Sequence, residues 1–281
     1  MLLHIPAVQG GIGSKIADLA SEKLGTEVRI GHVDLGFLNR VIIDDLLIYD
    51  QHHKKMLSAS RIGAKVDLIP LLQSGAINIS SAQLFGLKAD LYKTTKDSKP
   101  NYQFVLDSLA SKDQSNKKPL HLSINSLVIR NGSIRYNQYD APQTPHRFNL
   151  HHLDITNIST HIILDKLDDN SVIANLRSFS CKESAGLDVQ QLTFEVNANQ
   201  RQASLTDFNL QLPNSKVALE EIKAHYELKD KRLINNSLRF DIKGFNSTLQ
   251  PSDLSTFLPD LHLLRNPYRI VLSAQGTNRS V

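Results

Sequence analysis

One six-residue pattern, apolar–polar–polar–apolar–x–apolar, recurs about eight times and limits what this chain can fold into. Its instances are Ile30–Leu35, Ile43–Ile48, Ile79–Leu84, Ile124–Ile129, Leu150–Ile155, Val189–Phe194, Leu205–Leu210 and Leu219–Ala224. Neighbouring residues of a strand face opposite sides, so a double polar step would send every later apolar residue to the wrong face. An extra residue in one strand, a bulge, restores the face and coils the sheet. A tight turn at each polar pair would instead give shorter strands. The intervals between instances are irregular, which disfavours a fixed-period solenoid. The pattern predicts one long, strongly curled sheet, apolar inside and polar outside.

Period-two alternation supports strands at Val28–Leu35, Val41–Tyr49, Ser60–Asp67, Ala76–Tyr92, Leu120–Tyr136, Arg147–Thr156, Ser171–Ser178, Leu187–Ala198, Ala203–Leu212, Lys216–Leu228, Leu238–Ile242 and Tyr268–Gln275. Only the first stretch has a helical period. Ile12, Ile16, Leu19, Ala20 and Leu24 share one side of a helix at about 12–24, and Gly25 is a natural C-cap. Packed on a sheet, this helix is structural; at a membrane surface or over a cavity it would be functional. Short helical turns are expected at Leu68–Leu72, Phe104–Leu109 and Asp253–Leu258, and Ser111–Lys118 reads as a loop or the seam between two β segments. The domain reading is a helix over residues 1–25, a first β segment over 26–118 and a second over 119–281.

The opening Met1-Leu2-Leu3-His4-Ile5-Pro6 is apolar but too short for a signal peptide and has no basic residues before it. It reads as a natural start or as the stump of an upstream hydrophobic segment. A strand begins at Pro267-Tyr268 and the chain stops shortly afterwards at Val281 without a closing element, which reads as a piece of something longer.

Composition removes several functions. The 281 residues carry 32 Lys+Arg against 28 Asp+Glu, short of the basic excess that nucleic-acid binding requires. The single cysteine, Cys181, excludes an internal disulfide and a cysteine zinc cluster within one chain. No apolar run approaches the ~18 residues of a spanning helix. Trp is absent and aromatics are 6%, a poor supply for sugar or base stacking.

No motif argues for catalysis. Gly10-Gly11-Ile12-Gly13-Ser14-Lys15 places Ser before Lys with no strand ahead of it, so it cannot form a phosphate loop. His52-His53 and His151-His152 are adjacent pairs whose members face opposite ways in a strand, and a metal would need a third ligand. Asp44-Asp45 and Asp168-Asp169 read as turn or bulge positions, and Cys181 sits in a polar stretch. The chain is expected to be non-enzymatic, without cofactor or metal.

Leu3-His4-Ile5-Pro6-Ala7-Val8-Gln9, Leu24-Gly25, Val28-Arg29-Ile30-Gly31-His32-Val33, Leu46-Leu47-Ile48-Tyr49-Asp50 and Pro70-Leu71-Leu72-Gln73-Ser74-Gly75-Ala76-Ile77-Asn78-Ile79 follow one another. With Leu127-Val128-Ile129-Arg130-Asn131-Gly132-Ser133-Ile134-Arg135-Tyr136 downstream, their order resembles the amino-terminal part of the AsmA-like/TamB superfamily, bacterial relatives of bridge-like lipid-transfer proteins. The match is closest over residues 3–92 and looser to 160. The family's membrane anchor and the carboxy-terminal domain of TamB are not in this sequence.

The resemblance implies an elongated, open apolar β-groove in the periplasm of a Gram-negative bacterium, tethered to the inner membrane. That groove would carry phospholipid acyl chains toward the outer membrane. Its expected lining is Val28, Ile30, Ile79, Leu122, Ile124, Leu127, Ile129, Leu150, Leu153, Ile155, Val189, Leu192, Phe194, Val196, Leu205, Phe208, Leu210, Leu219 and Ile222. Two other readings compete: a factor docking on an outer-membrane β-barrel protein by strand addition, and a closed sandwich or barrel filled by its own side chains.

Overall fold

In the computed structural model of the chain, residues 6–36, 39–66, 77–110, 120–167, 171–229, 232–234 and 237–277 are described. The protein is mainly β. In chain order the elements are α1 (Pro6–Leu24), β1 (Val28–Arg29), β2 (His32–Gly36), β3 (Arg40–Tyr49), β4 (Lys55–Val66), β5 (Ile77–Phe85), β6 (Lys88–Lys93), α2 (Gln103–Ala110), β7 (Leu120–Gln138) and β8 (His152–Leu167). Then follow β9 (Ser171–Glu183), β10 (Asp188–Val189), β11 (Gln191–Asn199), β12 (Gln202–Gln211), β13 (Lys216–His225), β14 (Leu228–Lys229), β15 (Arg232–Leu233), β16 (Arg239–Leu249) and β17 (Tyr268–Thr277). Two 3-10 turns, Pro251–Leu254 and Pro259–Leu263, lie between β16 and β17.

Among the described residues, 15 strands join one mixed sheet in the order β1-β3-β4-β5-β7-β8-β9-β11-β12-β13-β16-β17, with β2 beside β3, β6 beside β4 and β7, and β10 beside β9. A separate ribbon pairs β14 with β15. Adjacent strands with assigned registers are antiparallel, except that β5 and β6 both run parallel to β7. Parallel neighbours need a long crossover; here it carries α2. The chain divides into two compact units, residues 1–144 with 149–158 and residues 145–148 with 159–281. The division falls inside β8.

Several boundaries differ from the sequence reading. α1 begins six residues earlier than expected, at Pro6, and runs through Gly10, Gly11 and Gly13. Proline is tolerated in a first turn, where its missing N–H has no partner to lose, and Gly25, at φ 65°, closes the helix. Packing supports the C-terminal half: Ser21 Oγ accepts from Val28 N at 3.0 Å and Ile16 lies against Val33, Val41 and Val66. The expected strand at Arg147 begins only at His152, because the Asn149 side chain accepts from His151 N and holds a turn there. The expected single strand Ala76–Tyr92 is two, β5 and β6, interrupted at Gly86. The turn expected at 68–72, Asp168-Asp169 and the 111–118 stretch lie outside the described residues.

The polar doublets set the geometry within each unit. In unit 1 the ladders place Gly31 opposite Asp45, Asp45 opposite Ser60, Ser60 opposite Gly86, and Gly86 opposite Asn131. Asp45, Gly86 and Asn131 have φ of 55°, 61° and 57°. In unit 2 Asp207 (φ 52°) stands opposite Glu220, which stands opposite Gly244 (φ 66°). Each doublet bends its strand and resets the alternation, and because doublet meets doublet the register across the row is kept. Where a doublet faces a strand without one, the expected one-strand bulge appears at the doublet: Ser80 is the extra residue against Lys65 and Val66, Asp207 and Phe208 stand against Phe194, and Lys243 and Gly244 stand against Ser273.

A buried polar knot ties the β3–β4 turn to β6. Asp50, 1% exposed, accepts from His52 N (2.8 Å), Lys54 N (2.9 Å), Tyr92 Oη (2.8 Å) and, at 3.5 Å, Asn101 Nδ2.

Candidate functional site

Directly paired residues of neighbouring strands share a face, so the registers show which apolar residues come together. In unit 2, Val196 pairs with Ala174 and Leu205, and Leu205 with Ile222, which pairs with Ile242. On the other side of the doublets, Phe194 pairs with Leu176, Phe208 with Leu219, Leu192 with Leu210, and Phe245 with Leu272. The two halves lie on one face: Phe194 and Val196 are two residues apart on β11, and the Phe194 ring stacks on Phe208 with centroids 6.5 Å apart. An apolar surface therefore crosses unit 2 from β9 to β16, with Thr206-Asp207, Glu220-Glu221 and Lys243-Gly244 at its bend.

Unit 1 repeats the arrangement. Val33 pairs with Ile43, Ile43 with Ile62, Ile62 with Leu84, and Leu84 with Ile129. Beyond the bend, Val28 pairs with Ile48, Ile48 with Leu57, Leu57 with Ala89, and Ala89 with Ile134. Ile30 packs on the Val33–Val41–Val66 cluster across the Gly31-His32 doublet, so both halves again share a face. The polar side of this sheet carries the Arg61–Asp44 ion pair (Nε–Oδ1 2.6 Å), which holds the Asp44 carboxyl below its usual range through hydrogen bonding to Arg61. Solvent-exposed pairs of this kind contribute little stability.

Burial along these faces is uneven. Val28, Val189 and Leu219 are buried, whereas Ile30, Ile79, Leu127, Ile129, Leu153, Ile155, Leu192, Phe194, Val196, Leu205, Phe208, Leu210 and Ile222 are only half-buried. Side chains between two packed layers would be dry. The dry part of unit 1 includes the end where Ile16 of α1 lies against Val33 (1% exposed), Val41 and Val66. Leu122 lies opposite Ile79 in the β5–β7 register, and Ile124 is also on β7; their side chains are outside the described set. Leu150 leaves the face altogether, 67% exposed in the turn before β8. The half-buried apolar residues are neither dry nor fully exposed. The recesses of about 320 Å³ beside Lys88 and Ser133, and of about 240 Å³ beside Asn209 and Lys216, are open and lined by polar as well as apolar groups.

Several members of these faces were not anticipated: Ile62, Leu84 and Ile134 in unit 1, and Ala174, Leu176, Ile242, Phe245 and Leu272 in unit 2. Ala59-Ser60-Arg61-Ile62-Gly63-Ala64 satisfies the six-residue pattern, but its first member lies one residue ahead of the strand expected from Ser60. Ile242-Lys243-Gly244-Phe245 carries the doublet, but its last position is Ser247, so the pattern is incomplete.

The other polar groups singled out in the sequence hold structure. His151 Nδ1 lies 3.0 Å from Gln138 Oε1, and His152 Nε2 donates to the Ala141 carbonyl at 2.9 Å. Cys181 is buried, and burial, with Asp188 and Glu183 nearby, pushes its thiol upward, leaving little thiolate at neutral pH. Among the described residues, no group of three or more His, Cys, Asp or Glu could hold a metal ion, and no helix is long and apolar enough to cross a membrane. Comparison with models of known protein families and with curated proteins finds no match.

Proposed function

We propose that the apolar face binds acyl lipid and that the chain is a segment of a non-catalytic lipid conduit. The observation that carries this reading is the strand-to-strand ladder Ala174–Val196–Leu205–Ile222–Ile242, whose aliphatic members remain half-exposed on a single sheet layer. Each methylene moved from water onto such a surface is worth up to ~0.8 kcal/mol. A lining of similar side chains from strand to strand makes displacement along it nearly isoenergetic, because each methylene leaving one contact gains another.

The order of sequence motifs extends the proposal: phospholipid as cargo, a periplasmic location, an inner-membrane anchor and support of outer-membrane biogenesis. The test is mass spectrometry of the purified chain. Co-isolated phospholipid that disappears in Phe194→Glu, with the far-UV spectrum retained, is the expected result; a lipid-free chain after expression in a Gram-negative host would overturn the reading.

A second reading, docking onto an outer-membrane β-barrel by strand addition, is favoured by one feature. β17 ends the strand order, and Ile270, Val271 and Leu272 on it are exposed. An edge strand that presents such an apolar run invites pairing, and Arg269 is the one charged residue on it. Crosslinks from β17 to a barrel that outlast Phe194→Glu would support it.

A further inference from the structure

Five large apolar side chains stand exposed within twelve residues of unit 2: Phe257 (45%), Leu258 (61%), Leu263 (69%), Leu264 (42%) and Tyr268 (48%). All but Tyr268 belong to the loop between β16 and β17. The loop is held in place. Asn214 donates from N and Nδ2 to the Asp253 carboxylate at 2.9 and 3.0 Å, Gln250 Nε2 donates to the Arg265 carbonyl at 3.0 Å, and Phe148 N donates to the Thr256 carbonyl at 2.9 Å. The Phe148 and Phe257 rings lie 4.9 Å apart. Such anchoring presents the remaining apolar side chains to solvent in a fixed place, and exposed clusters of this kind mark interaction sites.

We propose that this loop docks the chain on a lipid bilayer, with Leu258, Leu263 and Leu264 entering the acyl region and Arg265 and Arg269 meeting headgroup phosphates. Two observations select a bilayer. The exposed apolar residues are followed by two exposed arginines; of the loop's two acids Asp253 is engaged by Asn214 and Asp260 is exposed, so the cations outnumber the free carboxylate at the edge of the apolar surface, as interfacial segments require. The loop is also continuous with the apolar face: β16 and β17 leave it with Phe245 paired to Leu272 and Ile242 to Ala274. The inference rests on the acyl-lipid reading of that face, because a tail leaving the membrane at this loop would pass onto β16 and β17 with little exposure to water.

The experiment is flotation of the full chain with phosphatidylcholine vesicles, with and without phosphatidylglycerol. The double variant Leu258→Asp/Leu263→Asp is expected to lower vesicle binding about tenfold or more, with unchanged circular dichroism. Arg265→Gln/Arg269→Gln is expected to weaken binding only where phosphatidylglycerol is present. Leu228→Asp, at an exposed apolar residue of the β14–β15 ribbon, should leave binding intact. The proposal is overturned if the original chain does not float, if the double variant floats as well, or if Leu228→Asp lowers flotation as much. Lipid retained by the purified chain is measured in parallel, so loss of docking and loss of cargo binding are read separately.

Discussion

Phe194 and Phe208 face each other across β11 and β12, rings 6.5 Å apart and 15° from coplanar, although Asp207 bends the strand beside them. The aromatic pair spans the register shift between Thr193 and Glu195 and keeps both halves of the unit 2 face together. Phe208→Ala should lower stability by about 1–3 kcal/mol, less than for a fully buried phenylalanine because the ring is half-exposed. Urea unfolding measures this, and an unchanged midpoint would mean that the pair contributes no packing.

The bend rows make a separate expectation about backbone. Asp45 and Asp207 hold positive φ, where asparagine is tolerated and a β-branched residue is not. Asp207→Asn should leave the urea midpoint within error, whereas Asp207→Val should cost about 1–2 kcal/mol. Gly244→Ala should also destabilise, by about 1–2 kcal/mol, since an added Cβ meets the Glu220 side chain at a positive φ.

The Asp50–Tyr92 knot sets a pH window. Burial, then the hydrogen bond to Asp50, push the Tyr92 hydroxyl up to about 12. Its contribution is therefore complete below the ordinary tyrosine value near ~10 and is lost as pH rises through the folded value. Burial alone would raise the Asp50 carboxyl; hydrogen bonds from Lys54 N, Tyr92, His52 N and Asn101 outweigh it and hold the group below its usual range. That contribution is present above ~3.9 and is lost as pH falls through the depressed value. Tyr92→Phe should cost about 1–3 kcal/mol at neutral pH and remove the Tyr92 part of the alkaline loss, as followed by urea unfolding at several pH values.

Cys181 provides a probe of unit 2. Its thiol is buried and raised by desolvation, so modification by a thiol reagent at neutral pH should be slow in the native chain and accelerate with unfolding. Rapid native labelling would contradict the packing of β9 against β10.

Much of the fold was legible because the polar doublets are written in the sequence: Asp44-Asp45, Ser80-Ser81, Thr206-Asp207 and Glu220-Glu221 each fall at a bend or a register shift. Their mutual alignment was not legible, since it depends on which strands pair. The same limit hid Ile62, Leu176 and Phe245, whose place on the apolar face comes from their neighbours. Leu150 was misplaced for a local reason: the Asn149 side chain supplies a turn that competes with the strand. The parallel pairing of β5 and β6 with β7 has no signature in alternation, which is identical for either direction.

That parallel pairing also governs how the molecule assembles. From β11 to β13, successive strands are joined by short connections and can zip together as neighbours in sequence. β7 reaches β5 and β6 only after the chain from 94 to 119 has been closed into a crossover, and the entropy of that closure must be met before any ladder bond rewards it. Unit 2 should accordingly gain protection from hydrogen exchange first during refolding, with the β5–β7 ladder the late, rate-limiting event in unit 1.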